Sequence, residues 1–172
     1  MAITGAIGIG VAEGLSVGVS GKFLYEKIYV DEASGYAIDL GGMYAVSPSL
    51  TLGVSASNLG SMNKMRNEAL ELPALMRAGA SYTGALTDRF SYRAAADLVK
   101  IFKQSENHVQ LGAELGFDST LMLRAGYQTG YDAKSFTGGV GVAYGMVRFD
   151  YAFVPFNSGF GTTHTFSLSF RL

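Results

Sequence analysis

Apolar and polar residues alternate with period two along almost the whole chain, and the three-or-four spacing of an amphipathic helix is nearly absent. In the stretch 15–30, Leu15, Val17, Val19, Phe23, Tyr25 and Tyr29 share one face, while Ser16, Gly18, Ser20, Lys22 and Glu26 share the other. Tyr36, Ile38, Leu40 and Tyr44 stand against Ala37, Asp39 and Gly41 in the same way, and Val109, Leu111, Ala113, Leu115 and Phe117 against Gln110, Gly112 and Glu114. Near the end, Val147, Phe149, Tyr151 and Phe153 oppose Arg148, Asp150 and Ala152, and Phe166, Leu168, Phe170 and Leu172 oppose Thr165, Ser167, Ser169 and Arg171. The pattern predicts an all-β chain of about eleven strands, at 2–12, 15–30, 35–46, 49–59, 73–84, 89–101, 108–117, 119–129, 136–145, 147–155 and 163–172.

Most of these stretches have the roughly 9–11 residues that a tilted strand needs to cross a bilayer. Their connections alternate between short and long. The short ones lie near Glu13, Ser47 and Pro48, 85–88, Asp118, and Gly145 and Met146; the longer ones run over 31–34, 60–72, 102–107, 130–135 and 156–162. Tight turns at one end and longer loops at the other are the layout of an outer-membrane barrel. The expected fold is therefore an antiparallel up-and-down transmembrane β-barrel in a single domain spanning 1–172, with the hairpin as its only repeat.

Composition sharpens this picture. Hydrophobic residues make up 48% of the chain and charged residues only 16%, against roughly 25% charged in a globular protein. The 23 glycines, with Ser and Thr, interrupt every apolar run before it reaches the length of a membrane helix. Charge placement is the stronger argument, because Arg or Lys facing lipid at the midplane costs about 2–4 kcal/mol. Lys22, Glu26, Asp39, Arg77, Arg93, Asp97, Glu114, Arg124, Arg148, Asp150 and Arg171 all fall on the polar face and are expected to form a mutually neutralising network in the barrel lumen. Lys27 and Lys100 fall on the oily face but near the long-loop end, where their stems can snorkel to the headgroups. Aromatic residues fit two interfacial girdles: Tyr44, Tyr82, Phe90, Phe117, Tyr144, Phe149 and Phe170 by the short turns, and Tyr29, Tyr36, Tyr127, Phe136 and Phe153 at the opposite edge.

Little points to catalysis. With no Cys and with His108 and His164 as its two histidines, the chain offers no disulfide framework, thiolate metal site or histidine-rich metal site. A net charge of −1 leaves no basic footprint for nucleic acid. The glycines at 8–14 share little more than composition with a dinucleotide loop, and the run 18–22 lacks the first Gly and the Ser or Thr of a P-loop. His164 and Ser167 fall on opposite faces, so they cannot make the nucleophile and base of a wall-sited lipid hydrolase. The protein is expected to be non-enzymatic and to need no cofactor or metal. The longest connection, 60–72, places Met62, Met65 and Leu70 among Lys64, Arg66, Glu68 and Glu71, an amphipathic segment suited to a lid or a protein-docking loop.

The C-terminal run DYAFVPFNSGFGTTHTFSLSFRL resembles the closing strands of the PorV/PorQ family of outer-membrane proteins, relatives of the FadL-like transporters. The resemblance continues through NLG at Asn58 to Gly60, LPALMRAGASY at Leu72 to Tyr82, LGAELGF at Leu111 to Phe117 and LRAGYQTGYD at Leu123 to Asp132, and so spans about Leu15 to Leu172. It implies a FadL-like barrel of about fourteen strands in the bacterial outer membrane. For one branch it implies work with the type IX secretion system, which makes secretion proteins and secreted substrates the expected partners besides outer-membrane lipid. The leading expectation is a role in secretion or surface attachment; the alternative is a FadL-like channel for small hydrophobic compounds.

Two features depart from the family. Residues 1–4 show no basic leader region, and 2–11 already alternate as a strand, so the chain is expected to be a C-terminal portion whose first strands lie upstream. Strand direction agrees: 2–12 and 163–172 run the same way, so joining them would need a parallel seam. An open wall is expected, with the edge at Ile3 to Val11 left for further strands.

Overall fold

A chain whose strands are oily on one side only must pair them in a fixed register, since a slip by one residue turns every side chain to the wrong face. The computed structural model describes residues 1–65, 68–69, 71–103, 107–130, 136–156 and 161–170, with backbone alone at 28, 64–65 and 68–69. Its strands are β1 (Ala2–Ala12), β2 (Leu15–Ile28), β3 (Asp31–Ala45), β4 (Leu50–Met62), the two-residue pieces β5 (Lys64–Met65) and β6 (Glu68–Ala69), β7 (Leu75–Ala85), β8 (Phe90–Ile101), β9 (Asn107–Phe117), β10 (Leu121–Gln128), β11 (Phe136–Tyr144), β12 (Val147–Pro155) and β13 (Thr162–Phe170). Eleven of them form one up-and-down sheet in the order β1-β2-β3-β4-β7-β8-β9-β10-β11-β12-β13, while β5 pairs with β6. β1 and β13 are the end members of that order, in keeping with the strand-direction argument.

The sheet divides into two units, one of Met1–Gly79 with Val99–Asn107 and one of Ala80–Leu98 with His108–Leu172. In the first, Val19 faces Leu40, Phe23 faces Tyr36 and Leu15 faces Tyr44, so oily residues meet across each ladder. In the second, Leu123 lies between Leu115 and Val140, and Arg124 between Glu114 and Gly139.

Burial is inverted relative to a water-soluble sheet. Along β10, Leu121, Leu123, Ala125 and Tyr127 are exposed while Met122, Arg124, Gly126 and Gln128 are buried or half-buried. Leu123 keeps 51% of its surface and its neighbour Met122 only 7%. The buried side chains of Ala33, Ala37, Val99, Met122 and His108 all have the parity of the polar side, so the sheltered face is the polar one. An oily face turned outward is stable against lipid and costly against water.

The structure corrects some boundaries. The residues 31–34, expected as a longer loop, begin β3: Ile28 pairs with Asp31 and Lys27 with Glu32, and the turn shrinks to Tyr29 and Val30. The ladder continues there because strand ends beyond an oily belt need only backbone partners, and Tyr25 Oη donates to Glu32 Oε2 at 2.9 Å. Tyr29 leaves the oily face and occupies the left-handed region (φ 55°) with 94% exposure, so it belongs to a turn rather than a strand girdle. At the longest connection, Gly60, Ser61 and Met62 belong to β4, with Met62 opposite Gly35 and Ser61 opposite Tyr36. The strand expected from 73 starts at Leu75, after Pro73, which has no N–H for a ladder.

Candidate functional site

The polar side of the second unit is built row by row from the register. Glu114 on β9 lies opposite Arg124 on β10, and Arg124 lies opposite Gly139 on β11. Without a side chain at Gly139 or at Gly141, the guanidinium reaches across β11 to β12. Arg124 Nε donates to Glu114 Oε2 at 2.6 Å and Nη1 to Asp150 Oδ1 at 2.6 Å. Arg148 completes the chain, its Nε donating to Asp150 Oδ2 at 2.8 Å and its Nη2 to Asp150 Oδ1 at 3.2 Å. Two guanidinium and two carboxylate groups thus cancel, in the charge-assisted geometry that makes such bonds strong. Gly141 is the space this pairing needs: a Cβ there would stand 2.5 Å from Asp150 Oδ1.

One row along the strands the side chains vanish, with Gly112 opposite Gly126, and one row further Gln110 stands opposite Gln128. These rows line a concavity of 590 Å³, which Thr137, Ala152 and Val154 bound on the β11 and β12 side and Arg93 and Asp97 on the β8 side. Its floor is mostly carbon, with a few convergent polar groups, the usual composition of a small-molecule site.

The first unit holds a second, separate cluster. Between Ile38 and Leu40 the pairing of β3 with β4 shifts, so that Ser57 and Asn58 oppose Asp39 alone, a β-bulge. Asn58 adopts φ 59°, and its backbone N–H donates to Asp39 Oδ1 at 2.8 Å. Lys22 Nζ lies 2.7 Å from Asp39 Oδ2 and donates to Asn58 Oδ1 at 3.0 Å, while Ser20 Oγ donates to Asp39 Oδ2 at 2.9 Å. Asn58 Nδ2 donates to the Pro73 carbonyl at 3.2 Å, tying the end of the long connection to the bulge.

Of the eleven charged residues expected to form one network, the structure therefore brings Glu114, Arg124, Arg148 and Asp150 together and pairs Lys22 with Asp39. Arg93 donates from Nε to Thr83 Oγ1 at 3.3 Å. Glu26, Arg77 and Asp97 make no ion pair among the described residues, and Arg171 lies outside them. Of the expected docking loop, Met62 is in β4, Met65 is described by its backbone alone in β5, and Leu70 lies outside the described residues. His164 Nδ1 and Tyr151 Oη are 2.8 Å apart on the oily side, whereas Ser167 pairs with Asp150 on the polar side. His108 is buried, with Nδ1 3.3 Å from the Thr129 carbonyl. Sequence reasoning misses Asn58, the glycine pair and the glutamine pair. Only the resemblance through NLG draws attention to Asn58, and the two pairs depend on register, which no single strand reveals.

No family model matches the chain, and no curated protein matches it. Among solved structures it is similar to the toluene transporter TbuX of Ralstonia pickettii, with a TM-score of 0.64 and 16% identity over 97% of this chain. The match covers 66% of the TbuX chain, so this chain spans just under two thirds of that length. At this identity the likeness is one of fold alone, an up-and-down antiparallel β-sheet.

Proposed function

We propose that the chain forms part of the wall of a bacterial outer-membrane channel that passes small hydrophobic compounds, its oily face against lipid and its polar face toward the lumen. The observation that carries this reading is the 590 Å³ concavity on the sheltered side, floored by carbon and bordered by charges that neutralise one another. A hydrophobic solute crossing such a surface meets few groups that demand water. The fold shared with a toluene transporter supports the same reading and favours the channel over the secretion role that the sequence phrases put first. No catalytic step is assigned, since the His164 and Ser167 side chains lie on opposite faces.

Uptake tests it. Cells whose outer membrane contains the protein should take up labelled toluene several-fold faster than cells without it, because the lipopolysaccharide leaflet is the barrier; equal rates contradict the channel. The second reading, secretion or surface attachment, rests on the ordered PorV/PorQ-like phrases. It requires co-purification with a secreted protein through its C-terminal signal domain.

A further inference from the structure

The concavity of the second unit has two ends of different chemistry. At one end Glu114, Arg124 and Asp150 are paired with one another and with Arg148, while Arg124 Nη2 stays buried without a partner among the described residues. At the other stand the amides of Gln110 and Gln128, directly opposite across the β9 and β10 ladder, half-buried and without a hydrogen-bond partner among the described residues. Each amide offers two N–H donors and a carbonyl acceptor. Between the ends lies the open backbone of Gly112, opposite Gly126, over which the Thr137 hydroxyl sits. The two rims are four residues apart along the strands, about 13 Å at a strand's rise per residue.

This arrangement selects for charge, polarity and shape. The guanidiniums of Arg93, Arg124 and Arg148, the last paired with Asp150, equal the carboxylates of Asp97, Glu114 and Asp150 in number, so an anionic ligand meets no net positive charge to offset its desolvation. A pure hydrocarbon can pass over the surface but would cover the glutamine amides without satisfying them, so the site does not hold it. A flat ring system lies on a glycine floor where a bulky chain would gain nothing over the open wall.

We propose that this concavity is a binding site for a neutral, planar molecule of one or two fused rings bearing a hydroxyl or amide-like group. The polar group meets Gln110 and Gln128, and the ring lies over Gly112, beside the Thr137 side chain that covers Gly126. The proposal deepens the channel reading, on which it rests, by naming the chemical class that the wall recognises.

The test uses the chain in lipid nanodiscs with 2-naphthol, 2-naphthoate and naphthalene, which share a ring and differ in charge and hydrogen bonding. The chain has no Trp, so naphthyl fluorescence reads binding without that background. At pH 7, 2-naphthol should bind about tenfold more tightly than either of the others. Gln128→Leu should erase its advantage over naphthalene. Gly112→Leu should weaken 2-naphthol about tenfold, because a Cβ at Gly112 meets nothing within 4 Å and the new side chain enters the site rather than the fold. Equal affinity for naphthol and naphthoate, or for naphthol and naphthalene, overturns the proposal on the parent protein alone, whatever the variants do. Folded variants that bind as the parent does overturn it too. Selective binding without toluene uptake would leave the site standing and remove the channel; uptake without selectivity would do the reverse.

Discussion

At the scale of single residues, two glycines on one face of the second unit have opposite roles. Gly141 is a hole that the Arg124 and Asp150 pair fills: a Cβ would come within 2.5 Å of Asp150 Oδ1 and 3.2 Å of the guanidinium. Gly112 borders open space. Gly141→Val should therefore destabilise the assembled protein by about 1–3 kcal/mol, as overpacking does, and Gly112→Ala should change it by less than about 0.5 kcal/mol. Urea unfolding of both variants in lipid vesicles checks this, and equal losses would mean that the ion chain does not depend on Gly141. From sequence the two glycines look alike. Parity places both on the polar face, but the difference arises from which strand lies beside each and at what register.

At the scale of elements, the bulge in β4 is the feature that alternation cannot show. Period-two reading ends a strand at 59 and leaves 60–62 in a loop, whereas the inserted residue lets the ladder resume, with Ile38 opposite Leu59 and Gly35 opposite Met62. Asn58 makes this possible because its short polar side chain tolerates a positive φ and bonds locally. Asn58→Gly should keep the bulge and lose only the side-chain bonds to Lys22 and Pro73. Asn58→Val adds a β-branched residue at a left-handed position, which costs about 1–3 kcal/mol more. A vesicle unfolding series in which Val is no worse than Gly would refute the assignment. The turn at Tyr29 and Val30 is hidden for a related reason, since no glycine marks its positive φ and the polar residues 31–34 look like loop until their partners on β2 are known. The strand count and the oily face, by contrast, are legible, because each depends on a residue's own parity and not on its neighbour's.

At the scale of the whole molecule, burial is inverted, with oily residues exposed and polar residues sheltered along an up-and-down antiparallel sheet. Placing a charge on each side separates the two environments. Val142→Arg, on the exposed oily face, should lower membrane assembly by the equivalent of about 2–4 kcal/mol, whereas Gly112→Arg enters open space on the polar side and should assemble nearly as the parent does. Gly141, buried beside Arg124, would be a poor control for this comparison. The most direct measurement uses the absence of native cysteine, which lets single cysteines carry spin labels without background. Labels placed one at a time from Leu121 to Gln128 in bilayers would report collision with oxygen, which concentrates in lipid, and with a water-soluble nickel complex. An outward oily face predicts a period of two, with oxygen contact at 121, 123, 125 and 127 and its loss at 122, 124, 126 and 128. A flat profile, or oxygen contact at Arg124 and Gly126 instead of Leu123 and Tyr127, would contradict it.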